Sequence, residues 1–387
     1  MQFTQHSHSR SEKKSIRSVL ALALLFIGVI WLPEQKSDAS TLAGDICNNP
    51  FHSISTPLSD LGADEYISWT TGEPTGHFGG LYPDGTNSRP PEHEAAGVAI
   101  GEQIQPLNMS GAPDPGNGKI VLVSVGMSNT SQEFEAFQQL VDGNYQMNPQ
   151  IVLVNGSRGS LVSSRWADPN DNAWPSLDER LEAAGVTPQQ VQIAWVKLAQ
   201  FGYGDFPEKP ESLQADLENV ARILKARYPS IKIAYFSSRT RSYVYETGLS
   251  PEPTAFETAF SVRWMIEKQI NGDPTLNFDP AKGPVVAPYL SWGPYLWIDG
   301  ENERSDGRDW TQEDLEGDCT HPSASGEQKV AEQLFEFLES DSTSSEWFLW
   351  ENSCQDRQTI VAHPHDFANN PLGSAANTCV YLPLLHQ

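Results

Sequence analysis

Two short blocks of this 387-residue sequence could do chemistry together. The first is V-G-M-S-N-T-S, Val125 to Ser131, which follows an apolar run and precedes a helical pattern. A serine in such a turn exposes its hydroxyl, and its N–H lies at a helix N-terminus, where negative charge is favoured. Serine is a weak nucleophile at neutral pH. It needs an imidazole to take its proton, and the imidazole needs a carboxylate to fix its tautomer and stabilise the imidazolium. The second block, D-C-T-H-P-S, Asp318 to Ser323, supplies both on one loop, with His321 three residues after Asp318. Taken alone, Ser128 or Ser131 reads better as a helix cap, and a D-x-x-H pair is common by chance. What raises the pair is its place in the last loop before the last helical pattern.

The elements that must position these blocks are legible as alternating runs. Lys119 to Val125 (KIVLVSV) is a short β-branched stretch of the kind that forms a strand buried on both faces. Similar runs occupy Ile151 to Val154, Val191 to Val196, Ile231 to Phe236 and Pro284 to Leu290. Helical patterns lie between and after them, at Ser131 to Leu140, Leu177 to Ala184, Ser212 to Arg227, Thr254 to Gln269 and Ser323 to Leu338. Strands alternating with helices predict right-handed βαβ units, hence a parallel sheet covered on both faces. The binding crevice of such a sheet lies beyond the carboxyl ends of its strands, so active groups should follow strands directly.

Composition limits the partners. Acids outnumber bases 50 to 25, a net charge of −25, which excludes a phosphate-binding face and with it a nucleic-acid partner. The N-terminus has a basic stretch (Arg10, Lys13, Lys14, Arg17), an apolar run from Val19 to Leu32 and small residues from Ser37 to Ala43, the layout of a secretory signal. That apolar run, about 14 residues, is short of the roughly 20 needed to span a bilayer, which favours cleavage and export over a permanent anchor. Loss of residues 1–43 removes five bases and three acids, leaving 20 against 47. The expected product is secreted or periplasmic, with no stable membrane insertion. Four cysteines remain, Cys47, Cys319, Cys354 and Cys379, and an even count in an exported chain suggests disulfides. Cys354 with Cys379 is the preferred bridge because it would close a tail with little apolar periodicity. The competing zinc reading lacks any C-x₂-C or H-x₃-H cluster.

On these blocks the chain resembles the SGNH (GDSL-like) hydrolases, whose serine follows the first strand and whose D-x-x-H block precedes the last helix. It resembles most their carbohydrate-esterase branch, with sialate O-acetylesterase-like and acetylxylan esterase-like members. There the first block reads G-Q-S-N, and here Gly126 to Asn129 read G-M-S-N. The second reads G-G-T-S-I-x-x-W, and here Asn155 to Trp166 read NGSRGSLVSSRW, with Gly159 and Trp166 at the family separation. The resemblance covers about Lys119 to Ser340. It implies a three-layer α/β/α flavodoxin-like fold with a five-stranded parallel sheet. It also implies an exported serine esterase that removes O-acyl groups, acetyl above all, from carbohydrates without a cofactor. Ser128 would be the nucleophile, His321 the base, Asp318 its orienter and Gly159 an oxyanion donor. The third block departs from the family: where an Asn or Gln is expected, Trp195 to Gln200 read WVKLAQ, leaving Gln200, or else Lys197, as the further oxyanion donor.

The expected organisation is a signal over 1–43, a loop-rich extension over 44–117, the hydrolase domain over 118–340 and an irregular tail over 341–387. Arg239, Arg241 and Tyr243, in SSRTRSYVYE after the fourth strand, are candidates to bind sugar hydroxyls or a uronate carboxylate, or to form a surface loop with ion pairs. The aromatic run Tyr289, Trp292, Tyr295, Trp297 could line a sugar cleft or fill core. Two other readings of the chain remain: a lipase or simple-ester hydrolase of the same fold, and an extracellular carbohydrate-binding protein without activity.

Overall fold

The computed structural model describes residues 50–144 and 146–350. The expected signal, Cys47 and the proposed Cys354–Cys379 bridge lie outside the described residues. Before the sheet come α1 (Leu58–Leu61), the hairpin strands β1 (Glu65–Ile67) and β2 (Pro74–Phe78), and α2 (Pro91–Gly101). Then follow β3 (Ile120–Gly126), α3 (Ser128–Val141), β4 (Ile151–Asn155), α4 (Ser163–Trp166), α5 (Ala173–Ala183), β5 (Val191–Lys197) and α6 (Glu208–Arg227). The chain continues through β6 (Ile233–Ser237), α7 (Thr254–Ile270), β7 (Tyr289–Trp292), α8 (Ala324–Ser340) and α9 (Ser345–Phe348).

The main sheet has five strands in the order β4-β3-β5-β6-β7, all parallel. Counted along the chain, this is the doubly wound flavodoxin-like order, with its switch point beside β3. Every residue of β3, β5, β6 and β7 is buried, as strands covered by helices on both faces must be. One core layer holds Val121, Val123, Trp166, Leu177, Leu217 and Phe260; the opposite one holds Leu122, Phe134, Ile193, Tyr235 and Leu334. The residues before β3 belong to the same body. Leu58, Tyr66 and Tyr82 are buried in the first layer, and the Tyr66 ring packs against Phe256 and Phe260.

Two boundaries differ from expectation for local reasons. The last strand begins at Tyr289 rather than Pro284, because Pro284 and Pro288 have no N–H to offer a ladder, and Val286 and Ala287 donate to Asn277 O instead. Helix α3 begins at Ser128, not Ser131, and the residue before it, Met127, is extended and caps nothing with its side chain. The reading of Ser128 or Ser131 as a cap is thereby replaced: Ser128 is the first helical residue. Its N–H has no intrahelical acceptor.

Candidate active site

Ser128 stands at the carboxyl end of β3, one strand in from the edge. The turn into α3 is tight at Gly126, where a Cβ would lie 2.3 Å from Thr130 Oγ1. Gly126 O in turn accepts from Arg158 N at 3.3 Å and from Trp166 Nε1 at 3.2 Å, which ties the segment after β4 to the serine turn. That tie carries Gly159 to the serine: a Cβ built on Gly159 would meet only Ser128 Cβ, at 4.0 Å.

The other half of the site comes from the loop before α8. Ser128 Oγ lies 2.7 Å from His321 Nε2, and His321 Nδ1 lies 2.5 Å from Asp318 Oδ2. The second Asp318 oxygen accepts from the backbone N–H of His321 at 2.8 Å and of Thr320 at 3.0 Å. All three residues are half-buried. Burial tends to raise the Asp318 pKa, but the hydrogen bonds from the His321 ring and the two backbone N–H groups outweigh it and hold the carboxyl at about 2. Asp318 therefore carries its charge at neutral pH. That charge and its hydrogen bond raise the His321 pKa above the ordinary imidazole value, against burial and the cation of Arg239. With Nδ1–H donating to Asp318, Nε2 is the free nitrogen facing the serine.

The loop is braced from two sides. Asn129, fully buried, donates from Nδ2 to Thr320 O at 2.7 Å, so the residue after the serine grips the residue before the histidine. From the segment after β6, Tyr243 N and Ser242 Oγ both donate to Cys319 O, at 3.1 and 3.3 Å.

A serine after the first sheet strand, hydrogen-bonded to a D-x-x-H pair ahead of the last long helix on a 2-1-3-4-5 parallel sheet, is a specific combination. The fold is a doubly wound α/β type with the sheet order that the resemblance to the SGNH hydrolases implies. No family model matches the chain, and no curated protein matches it. Solved structures do resemble it. A lipase from a goat rumen metagenome is 12% identical with a TM-score of 0.34, the match covering 56% of this chain and 97% of the lipase. A Slackia heliotrinireducens protein assigned to the SGNH hydrolases is also 12% identical, with a TM-score of 0.30 over 57% of this chain and 99% of its own. A protein from Arabidopsis thaliana is 11% identical, with a TM-score of 0.32 over 74% of this chain and 97% of its own.

Several expected site residues lie elsewhere in this fold. Gln200 does not reach the serine, because its Nε2 donates to Ser212 Oγ at 3.0 Å and to Asp216 Oδ2 at 2.9 Å, which fastens it to α6. Its alternative, Lys197, is fully buried, with its ammonium bonded to both oxygens of Glu133, at 2.6 Å to Oε2. Arg241 and Tyr243 are interior residues and not a sugar-binding edge. Arg241 pairs with Asp299 at 3.2 Å and sits over the rings of Phe51, Tyr243 and Trp297, while Tyr243 Oη donates to Trp310 O at 2.9 Å. Arg239 is 1% exposed, so it too is withdrawn from any sugar ring, and its Nε and Nη1 have no hydrogen-bond partner among the described residues. The aromatics Tyr289, Trp292, Tyr295 and Trp297 are all buried core.

Asn129 and the Glu133–Lys197 pair went unremarked in the sequence, although a signal exists. Helix α3 buries Thr130, Glu133, Phe134, Phe137 and Val141 on one face, and a glutamate within an apolar stripe requires a buried partner. Strand β5 supplies it, since Lys197 lies in register with Gly126 at the base of the serine turn. Burial, with the nearby Arg239 cation, lowers the Lys197 pKa, and Glu133 opposes the change. Lys197→Met alone leaves Glu133 buried without a counter-charge and should cost about 3–5 kcal/mol of stability in urea unfolding. Lys197→Met with Glu133→Leu should recover most of that loss; equal destabilisation in both variants would refute the pairing.

Among the described residues no helix is long and apolar enough to cross a membrane. No group of three or more His, Cys, Asp or Glu among them could hold a metal ion.

Proposed function

We propose that this protein is an exported serine esterase that hydrolyses O-acyl esters, acetyl above all, on carbohydrates, with residues 118–340 as its catalytic domain. The observation that carries the reading is the continuous chain of hydrogen bonds from Ser128 Oγ through His321 to Asp318 at the carboxyl edge of the sheet. In the first step Ser128 Oγ bonds to the ester carbonyl carbon while its proton passes to His321 Nε2. The N–H groups of Ser128 and Gly159 face the developing oxyanion, a contribution worth about 3–4 kcal/mol per donor in related chemistry. Collapse breaks the bond to the sugar oxygen, which takes the proton from His321. Water then attacks the acyl-serine and gives a proton to His321, which returns it to Ser128 Oγ as the acyl–serine bond breaks and the carboxylic acid leaves.

The likeness of the first two blocks to the carbohydrate-esterase branch supports the carbohydrate part of the reading. Export is supported by the basic, apolar and small-residue layout of the N-terminus and by the even count of cysteines after it. An inactive carbohydrate-binding descendant would have no need to keep an aligned nucleophile, base and carboxylate. A fluorophosphonate probe tests the reading directly. It should attach at Ser128, located by peptide mass spectrometry, and the intact protein should release acetate from acetylated oligosaccharides faster than it cleaves long-chain p-nitrophenyl esters. Absence of labelling would refute an esterase, and a preference for long chains would move the protein to the lipases.

A further inference from the structure

The withdrawal of Arg239, Arg241 and Tyr243 into the core leaves open what would hold a sugar beside the serine. The loops after β5 and β6 offer an answer. Strand β5 is the neighbour of β3, and the loop that follows it, at the same edge of the sheet as Ser128, carries Phe201 and Tyr203. Ser163 N donates to Ala199 O at 3.0 Å, joining this loop to the segment that brings Gly159 to the serine. Gly202 N donates to Leu249 O at 3.3 Å, joining it to the loop after β6, which carries Tyr245. The turn between β1 and β2 closes over the same edge: Trp69 stacks on Tyr245 with centroids 5.9 Å apart and planes at 28°, and Thr70 Oγ1 lies 3.2 Å from Tyr203 Oη.

We propose that Trp69, Phe201, Tyr203 and Tyr245 form an aromatic platform at the edge of the reaction crevice on which a neutral sugar ring of the acylated substrate stacks. This rests on the esterase reading above. Phe201 is 52% exposed, a large apolar ring held in water on a loop at the carboxyl edge of the sheet, where a ligand is expected. The platform is held in place before any ligand arrives, since Arg241 Nη2 donates to Tyr245 Oη at 3.2 Å and Lys209 Nζ to Phe201 O at 2.8 Å. Flat faces tipped with tyrosine hydroxyls suit a pyranose, which offers C–H groups to the ring and hydroxyls to the oxygens. Asp205 and Glu246 are exposed in the same loops, the Lys209 ammonium is held by Phe201 O, and Arg239 and Arg241 are buried, which leaves little positive charge to hold an anionic ring. A fatty acyl chain would call for an aliphatic slot rather than polar-tipped rings.

The test compares kcat/KM on acetylated xylo-oligosaccharides with kcat/KM on p-nitrophenyl acetate. In Phe201→Ala and in Trp69→Ala the ratio of the two should fall about three- to tenfold, with Phe201→Trp keeping it near the starting value. Because Phe201 is exposed, its replacement also guards against a result caused by misfolding. An unchanged ratio in both alanine variants of an active enzyme overturns the platform and leaves the esterase standing. A matching loss on p-nitrophenyl dodecanoate assigns the rings to an acyl chain and overturns the sugar. Failure of the intact protein to cleave either ester overturns the underlying reading itself.

Discussion

Ser128→Ala should lower kcat on p-nitrophenyl acetate by about 10⁶-fold, the loss expected when the nucleophile of a cooperating triad is removed. The size follows from what remains. Without Oγ there is no acyl-serine, His321 has no proton to take from a nucleophile, and the only catalysis left is that of the oxyanion donors on attack by water, about 10³- to 10⁴-fold over solution. The fold should be indifferent to the change. Ser128 is the first residue of α3, does not cap it, and its hydroxyl is engaged by His321 alone among the described residues. Thermal unfolding of the variant should therefore match the parent. A folded variant retaining a few per cent of the parent rate would remove Ser128 from the chemistry.

The second large effect is at Asp318. Asp318→Asn should lower kcat by about 10⁴-fold, even though the side chain is the same size. Asp318 Oδ2 accepts the proton-bearing Nδ1 of His321 and so leaves Nε2 bare toward Ser128. An amide can turn its NH₂ toward Nδ1 instead, which places the ring proton on Nε2 and points a donor at the serine. The pH profile separates this from general damage. His321 works as a base only when neutral, so kcat/KM should rise with pH and level off above the His321 pKa. In the parent the Asp318 hydrogen bond raises that pKa, so the acid limb should lie above the ordinary imidazole value. In Asp318→Asn the support is gone, and the limb should move to lower pH while the plateau collapses. A limb that stays in place would mean Asp318 does not govern the histidine.

The groups that face His321 come from more than its own loop. Asp318 and Glu316 act to raise its pKa and Arg239, from the segment after β6, acts to lower it. Arg239 thus acts at the site by its field from the interior, and it adds to burial in holding down the climb of the acid limb.

The reach of the sequence is clearest where chemistry depends on local order. The serine block and the D-x-x-H block were both legible. A strand buried on both faces announces itself as a β-branched run, an amphipathic helix as a stripe, and the crevice of a parallel sheet lies where strands give way to helices. The aspartate and histidine bond each other across three residues, a distance set by one turn of backbone. Gly159 was legible by its spacing to Trp166, and the structure places it against Ser128.

What followed the third and fourth strands was not legible, because a side chain leaving a strand end takes its direction from chain that arrives later. Arg241 turns inward to Asp299, 58 residues on, and Gln200 turns away to an aspartate on α6. Asn129 finds its partner 191 residues away. Lys197, Arg239 and Arg241 all follow strand ends, yet all three are buried, Lys197 against Glu133 and Arg241 against Asp299. Local periodicity and block order determine the strands, the helices and the two ends of the triad, since those depend on neighbours in sequence. Which charged groups face the crevice and which are locked in the core was decided only by tertiary packing, because burying a charge is tolerable only where a distant segment brings its counter-charge.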